Sequence, residues 1–412
     1  MRYLTIVFLL LGSLVSAQTL QEYQQEASEN NPMLQSKYKE FEAALQRVTQ
    51  VKGFPDPTLS VSAFGRMTET RVGRQMARFT LSQMFPWFGT LKVQGEATAL
   101  IADAAFERYI DEQNKLWFQV SRAYYPLVEL EDVLSIQRGN LDILKSWKTL
   151  ATSKYENGKT SLADVLRVDL MIQDMETEII LLEGMKRPLT ASFNQLLNRP
   201  DSMEVFTSPF DSVSVPVYSE QVNWNDHPLL KEITLKKQSK EKQYMAIEKQ
   251  SMPKLGVGLD YIIVAERTDL AAGQAGMNVP GNGQDAIMPM ITVSLPLYRR
   301  KYKAALKENK LQTESIELMA QSTRNELNAS FENVKYDVMR EIEMLNLYEI
   351  QIEETQRIQS LLVSEFGNSG KDLVELLRIQ MQLLNYQKLE IKSKTKLFIA
   401  LANLDYILGG TQ

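Results

Sequence analysis

The stretch Pro57-Thr58-Leu59-Ser60-Val61-Ser62 decides the fold, because its pattern returns 196 residues later as Pro253-Lys254-Leu255-Gly256-Val257-Gly258. In both stretches, apolar residues alternate with small or polar ones, which is typical of a strand that has one apolar face. Asn31-Pro32 and His227-Pro228 precede them and are also 196 residues apart. Because proline is favoured at the first position of a helix, each pair predicts a helix start. The chain therefore contains an internal duplication.

A second pair of landmarks lies further along the chain. Tyr-Glu-Asn-Gly at 155–158 leads into 162–167, and Phe-Gly-Asn-Ser at 366–369 leads into 373–378, which is a shift of 211 residues. The larger shift places the extra residues in the second hairpin, near 265–287. Each repeat is thus predicted as helix, β-hairpin, long helix, tight turn and helix. We predict a first repeat over 18–208, a linker over 209–225 and a second repeat over 226–412, with hairpins at 57–86 and 253–297 and turns at 155–164 and 366–375.

The segments between these landmarks carry heptad repeats. Within residues 90–154, apolar residues recur in steps of four and three from Leu116 to Leu144, which predicts a coiled-coil seam. A helix of about 65 residues would be roughly 100 Å long at about 1.5 Å per residue. Shorter helices are predicted near 20–52 and 161–199. Stacked end to end, they would equal the long helix in length and could pack beside it to form a rod. When the seams are considered without the hairpins, a solvated coiled coil or ordinary core packing also explains them.

The N-terminus predicts export. Arg2, an apolar stretch from Leu4 to Leu14 and the small residues before Ala17 are typical of a secretory signal peptide over residues 1–17. No later stretch approaches about 18 consecutive apolar residues, so no transmembrane helix is predicted. The chain has no cysteine, which excludes disulfides and the acylation site of a lipoprotein. A formal charge of −5 makes nucleic acid a poor candidate partner.

The alternating stretches have the dimensions of membrane strands. Each predicted strand spans about 9–11 residues, the length of a tilted strand across a bilayer. Aromatic residues close both hairpins, at Phe85-Pro86-Trp87-Phe88 and at Pro296-Leu297-Tyr298, and Arg299, Arg300 and Lys301 follow the second. Such clusters resemble the interfacial girdle of a barrel. The alternative is a soluble four-stranded sheet with one buried face.

Four strands in lipid would leave open edges. Unpaired backbone N–H and C=O groups are not tolerated in the hydrocarbon core, and the smallest known barrels have about eight strands. Two chains would supply eight strands and three would supply twelve. Membrane insertion would therefore require several copies of the chain to share one barrel.

These features together resemble the TolC-like outer-membrane efflux family of Gram-negative bacteria. The residues that carry the resemblance are Asn30-Asn31-Pro32, then Tyr155 and Gly158 followed by Asp164-Val165-Leu166, and finally the stretch 194–200 that ends in Pro200. The resemblance covers nearly the whole chain after the signal peptide. It implies an α+β membrane protein: a homotrimer with a shared 12-stranded β-barrel in outer-membrane lipid above a long coiled-coil α-helical barrel that crosses the periplasm.

The resemblance also assigns candidate site residues. In the family the helix turns form the tip that meets a periplasmic adaptor, and the matching residues are Asn157, Gly158, Thr160, Leu162, Asp164, Ser369, Gly370 and Leu373. The family constricts its tunnel with acidic residues that match Asp372 and Glu375, and this chain has Arg378 where another acid is frequent. A carboxylate ring would favour cations. Arg378 is instead placed to pair with Glu375, so a gating network and a simple surface ion pair both fit.

Catalytic chemistry has little support in the sequence. His227 is the only histidine and is predicted to start a helix, and no glycine-rich phosphate loop is present. We therefore predict no catalytic residue, no cofactor and no metal site. Thioethers suit Cu(I), and residues 84–89 are similar to members that serve heavy-metal pumps. Methionines lie in or beside the hairpins at Met67, Met76, Met84, Met277, Met288 and Met290. The ability of methionine to fill irregular space in a core also explains them.

The predicted function is a passive exit duct rather than an enzyme. It would conduct heavy-metal cations or drugs from a periplasmic adaptor and an inner-membrane pump to the exterior, with the chain in the outer membrane and extending into the periplasm. The alternative is a soluble periplasmic coiled-coil adaptor or scaffold.

Overall fold

The computed structural model describes residues 19–65, 69–210, 222–267, 280–369 and 373–410. The predicted signal peptide and most of the predicted linker lie outside these residues. The helices and strands are α1 Leu20–Asn30, α2 Pro32–Lys52, β1 Thr58–Ala63, β2 Glu69–Thr70, β3 Gly73–Phe85, α3 Thr90–Glu156, α4 Leu162–Leu196, α5 Pro228–Gln250, β4 Lys254–Ala265, β5 Ala286–Ser294, α6 Arg299–Ser369 and α7 Leu373–Ile407, with a short 3₁₀ helix at Trp224–Asp226.

Proline begins a helix in both repeats, at Pro32 and at Pro228. The helix predicted near 20–52 is two helices, because Asn31 leaves the helical conformation at ψ 120°. Its side-chain oxygen accepts hydrogen bonds from the N–H groups of Met33 (3.0 Å) and Leu34 (3.2 Å). Asn31 therefore caps α2, which is the usual role of asparagine at a helix N-terminus.

The compact units of the chain differ from its repeats. One unit comprises Met1–Lys37, Tyr109–Pro228 and Arg324–Gln412, and the other comprises Tyr38–Arg108 and Leu229–Thr323. We call them the helical unit and the sheet unit. Each draws segments from both repeats because the long helices pass through both units and the strands of the two repeats share one sheet.

The sheet unit contains one antiparallel sheet in the order β1-β3-β4-β5, with the short β2 beside β3. The two hairpins join through β3 and β4, from Phe85 opposite Leu255 to Arg74 opposite Ala265, with an irregularity between Gln75 and Ala77. The strand lengths differ from the uniform 9–11 residues that we predicted. They are 6 for β1, 13 for β3, 12 for β4 and 9 for β5.

The register gives this sheet one apolar face and one polar face. On the apolar face, Leu59 lies opposite Leu81, which lies opposite Leu259. Its large side chains are exposed: Leu59, Val61, Phe79, Leu81, Leu255, Val257, Leu259, Tyr261, Ile287, Ile291 and Val293. On the other face, Ser60 lies opposite Thr80, which lies opposite Asp260. The sheet thus exposes its apolar side, the reverse of a soluble sheet.

The helical unit buries the apolar residues of its heptad seams. The seam predicted within 90–154 is buried at Leu116, Val120, Leu127, Leu130, Leu134 and Leu144. Towards the turns, one core cluster joins α3, α4, α6 and α7 through Leu144, Trp147, Val168, Ile172, Phe366, Leu376 and Leu384. Heptad spacing predicts this packing because it keeps one stripe of each helix against its neighbours.

A second cluster of the helical unit explains the stretch 194–200. The ring of Tyr23 meets the ring of Phe193 edge to face at 5.1 Å. The Asn194 amide donates to the carbonyl oxygens of Pro200, Asp201 and Met203 at 3.1, 3.1 and 2.8 Å. Asn194 therefore holds the loop that follows α4 by satisfying carbonyl groups of residues 200–203.

His227 has a structural place, as its position before proline predicts. It lies between the 3₁₀ helix and α5, and its side chain is buried beside Gly409. Burial lowers the pKa of the imidazole to about 4, although a hydrogen bond with the backbone at Ile407 opposes the shift. The ring is therefore neutral at physiological pH.

Candidate functional site

The first helix turn, residues 157–161, is built around Gly158. This residue has φ 67°, a conformation that costs other residues energy and glycine almost none. Its N–H donates to the carbonyl of Tyr155 at 2.9 Å, and the N–H of Lys159 donates to that of Lys154 at 2.8 Å. A Cβ at position 158 would meet no atom within 4 Å, so the backbone requires glycine here and packing does not.

Ser161 and Asp164 start α4 with a capping box. The Ser161 hydroxyl accepts from the Asp164 N–H at 3.2 Å, and the Asp164 carboxylate accepts from the Ser161 N–H at 3.3 Å. The hydroxyl of Thr160 also donates to this carboxylate, at 3.0 Å. The hydrogen bond from Ser161, with help from Thr160, lowers the pKa of Asp164 below its usual value. Thr160 and Asp164 therefore stabilise the turn through hydrogen bonds among its own residues.

The surface of the first turn carries an apolar stripe along α4. Leu162, Leu166 and Leu170 are exposed at spacings of four residues, and Tyr155 is exposed at the end of α3. We predicted Leu162 but not Leu166 or Leu170. Their spacing of four residues could have predicted this exposed stripe, since it runs beside the buried stripe that Val165 and Val168 form on the same helix. Asn157 and Gly158 are exposed beside the stripe.

The second turn lies between Ser369, where α6 ends, and Leu373, where α7 begins. Gly370 and Asp372 lie outside the described residues. Leu373, which we predicted as an adaptor contact, is only 3% exposed and packs in the core with Phe366 and Leu376. In the single chain Leu373 therefore supports the turn from inside, because its side chain points to the core stripe of α7.

Lys154 connects the two turns and was missed by sequence reasoning. Its Nζ donates to the carbonyl oxygen of Gly367 at 3.1 Å and lies 5.0 Å from the centre of the Phe366 ring. The side chain is buried although it is charged. It thus ties the end of α3 to the last turn of α6, where helix carbonyls attract cations.

Glu375 and Arg378 form an ion pair on the first turns of α7. The Nε of Arg378 donates to Glu375 Oε2 at 2.9 Å, and both side chains are about half exposed. The hydrogen bond from Arg378 lowers the pKa of Glu375. Within one chain this is a surface ion pair, and such pairs contribute little to stability.

The polar face of the sheet contains a charged group that sequence reasoning also missed. The Asp260 side chain is 2% exposed and accepts from the Thr80 hydroxyl at 2.5 Å. The Nε of Arg78 lies 3.8 Å from Asp260 Oδ2. An acid beside glycines in an alternating strand gave only a weak signal, because its partners lie on β3, 180 residues away.

The methionines of this face fill space above glycines. A Cβ on Gly256 would lie 2.4 Å from the Sδ of Met84, and one on Gly258 would lie 3.1 Å from the Cε of Met290. This is the packing role of methionine. Met67 and Met277 lie outside the described residues. Among the residues that are described, no group of three or more histidine, cysteine or acidic residues could hold a metal ion.

The strand ends place aromatic and basic residues together. Phe88 follows β3, and Leu297 and Tyr298 follow β5, all of them exposed. Arg299, Arg300 and Lys301 come next and begin α6. No helix in the described part of the chain is both long enough and apolar enough to cross a membrane.

Comparisons with known proteins give one family model and several similar folds. The family model described as outer membrane efflux protein matches residues 23–198. No curated protein sequence matches the chain. Among solved structures, CusC matches with a TM-score of 0.75 at 13% identity, covering 95% of this chain and 92% of that one. The outer-membrane channel MtrE of Neisseria gonorrhoeae matches with a TM-score of 0.72 at 16% identity, covering 95% and 88%.

The outer membrane protein VceC of Vibrio cholerae gives a TM-score of 0.71 at 15% identity, covering 95% of this chain and 96% of that one. At these identities the likeness establishes the fold. The predicted resemblance to the TolC-like outer-membrane efflux family is thus confirmed, by the family model over residues 23–198 and by the fold over most of the chain. The predicted fold class, long helices with four antiparallel strands, is confirmed as well.

Proposed function

We propose that three copies of this chain form an outer-membrane exit duct. The observation that carries the proposal is the exposed apolar face of a four-stranded sheet whose edges, β1 and β5, have no partner strand among the described residues. Lipid would cover the apolar face. Pairing β5 of one copy with β1 of the next would satisfy both edges, as a membrane requires. Three copies give twelve strands, with the polar face and Asp260 lining the interior.

The duct conducts substrates passively, and a separate pump supplies the energy. Long helices that bury heptad seams support a helical tunnel in the periplasm. Heavy-metal cations or drugs are the proposed cargo, supported by the similarity of residues 84–89 to members that serve heavy-metal pumps. The methionines carry no part of this proposal, because Met84 and Met290 are explained by packing over glycines.

The helix turns form the docking site for a periplasmic adaptor, which links the duct to an inner-membrane pump. The exposed residues at the first turn, Asn157, Gly158 and Leu162, support this, together with Leu166 and Leu170. Ser369 and Gly370 are the proposed adaptor contacts near the second turn. Leu373 is removed from the proposed contact because it is buried.

Glu375, Arg378 and Asp372 are the proposed constriction. Three copies would bring three Glu375–Arg378 pairs around one axis at the tip. Because Arg378 neutralises Glu375 within each copy, this ring would select cations less strongly than a ring of carboxylates alone. Arg378→Gln should therefore raise the preference for cations, measured as the reversal potential across a salt gradient. An unchanged reversal potential would remove this pair from the constriction.

Planar bilayers test the duct itself. Purified protein should produce stepwise conductance, whereas absence of conductance from folded protein would contradict the proposal. Docking is tested separately in cells, in a deletion strain challenged with copper, silver, dyes and bile salts. Leu166→Asp should abolish export while bilayer conductance persists, and Met339→Asp, which changes an exposed residue of α6 away from the turns, should leave export intact.

A soluble periplasmic scaffold is the second candidate, because its coiled-coil helices would serve such a role. The exposed apolar sheet argues against it, since soluble monomers rarely expose so large an apolar patch. Fractionation separates the two: a scaffold is released without detergent, and a duct is not.

A further inference from the structure

The junction between β5 and α6 carries a run of cations without carboxylates. Arg299, Arg300, Lys301 and Lys303 fall within five positions, and the next acidic residue is Glu308. All four side chains are exposed. We call these four residues the basic junction.

These cations stand where the helix itself disfavours them. They occupy the start of a helix of 71 residues, whose first turn has no acidic residue. The N-terminal end of a helix carries a partial positive charge, so cations there are repelled and anions are attracted. Within the described residues, none of the four side chains pairs with a carboxylate, and Lys301 lies over the ring of Tyr302 at 4.8 Å. The basic junction therefore has excess positive charge that the described residues do not neutralise.

The basic junction adjoins the apolar face of the sheet. Ile291, on that face of β5, is 83% exposed, and the exposed residues Leu295, Leu297 and Tyr298 continue to the start of α6. Tyrosine is enriched at the boundary between hydrocarbon and headgroups. Arg299 follows Tyr298 directly, which places the first cations at headgroup depth if the sheet spans a membrane.

The corresponding junction of the first repeat lacks this charge. Trp87 and Phe88 follow β3 there, and the first cation of α3 is Lys92. Four residues later comes Glu96, which pairs with Lys242 at 2.7 Å. Both junctions thus provide aromatic residues for a membrane boundary, but the second adds a run of cations that have no carboxylate partner among the residues described.

We infer that the basic junction binds the phosphate groups of anionic phospholipids, with Arg299 and Arg300 as the principal ligands. Guanidinium groups form paired hydrogen bonds with phosphate oxygens. The neighbouring exposed Leu297 and Tyr298 fit acyl chains, which a free phosphate ion does not offer. The inference rests on the proposed function, because the sheet must span a membrane for the junction to reach headgroups.

Lipid retention tests this inference. Purified protein is exchanged into micelles with phosphatidylglycerol, cardiolipin or phosphatidylcholine and examined by native mass spectrometry. Wild-type protein should retain the anionic lipids roughly tenfold more than phosphatidylcholine, and Arg299→Gln/Arg300→Gln should lose most of this preference. Lys307→Gln/Lys310→Gln is the matched control, because these exposed lysines lie about 12 and 16 Å further along α6 at about 1.5 Å per residue. That is beyond a headgroup layer of roughly 5–8 Å.

Equal retention of anionic lipid by wild type and Arg299→Gln/Arg300→Gln would overturn the inference. Loss of the lipid in excess inorganic phosphate would also overturn it, because the site would then recognise phosphate alone. Conductance of the same preparations in phosphatidylcholine bilayers separates the two proposals. Normal conductance without lipid preference would contradict only the basic junction, whereas absence of conductance would contradict the duct.

Discussion

The helical unit and the sheet unit treat apolar side chains in opposite ways. The helical unit encloses Leu144, Val168 and Phe366 within one chain, whereas the sheet unit exposes Leu59, Val257 and Ile291. Burial of apolar area stabilises a fold by roughly 25 cal/mol per Å². The helical unit gains this energy from its own chain. Under the proposed function, the apolar face of the sheet unit gains this energy from lipid and from further copies of the chain.

The largest expected effect comes from placing a charge on the apolar face of the sheet. Ile291→Arg should cost about 2–4 kcal/mol per copy near the middle of a bilayer, and every copy carries the change. We expect loss of membrane insertion, measured by extraction from membranes with carbonate. Thr292→Arg is the control, because position 292 lies on the polar face opposite Gly256. If both variants insert equally well, the two faces of the sheet have the same surroundings, which would contradict lipid on the apolar face.

The next effect concerns the core of the helical unit. Phe366 is 1% exposed, so Phe366→Ala should lower the free energy of unfolding by about 3–5 kcal/mol. Thermal unfolding followed by circular dichroism measures this change. Leu361→Ala, at an exposed site on the same helix, should change stability little. Similar losses at both sites would show that α6 is covered on both sides by other copies.

The turn between α3 and α4 gives a smaller effect. Gly158→Ala should cost about 1–2 kcal/mol, because φ 67° is strained for alanine. Gly139 lies inside α3, where the same substitution meets no atom within 4 Å and should stabilise by about 0.5–1 kcal/mol. Denaturant unfolding of the two variants should therefore give opposite signs, and equal signs would contradict the conformation described for the turn.

The effect that is smallest at neutral pH is a dependence of stability on acid. His227 is neutral in the folded protein because burial lowers its pKa from 6.5 to about 4. The unfolded chain binds this proton more readily, so stability is complete above pH 6.5 and declines as pH falls from 6.5 towards 4. His227→Gln should flatten that part of the stability curve. An unaltered curve would show that other groups cause the decline.

The sequence predicted the helices and the strands because their periods are local. Heptad spacing located the seam from Leu116 to Leu144, and proline located the starts of α2 and α5. The range 20–52 was nevertheless given as one helix, although it contains this start, so α1 was not predicted as a separate helix. The length of β1 was overestimated because alternation alone does not show where pairing ends.

The candidate site was less predictable because its contacts join distant residues. Lys154 donates a hydrogen bond to Gly367, and Asp260 accepts one from Thr80. No spacing along the chain predicts either contact. Leu373 was assigned from its position beside the turn, but the core stripe of α7 contains it. Leu166 and Leu170 could have been found, since a stripe beside a buried stripe indicates a second contact face.

A shared barrel requires the edge strands β1 and β5 to meet between copies, and disulfide trapping measures this most directly. The chain has no cysteine, so Ser60→Cys combined with Met288→Cys, Met290→Cys or Thr292→Cys forms no competing bonds. These positions share the polar face. For at least one pair we predict covalent trimers in the membrane fraction as the largest species on a non-reducing gel. Membrane protein that stays monomeric for every pair, or that stops at dimers, would contradict the twelve-stranded duct.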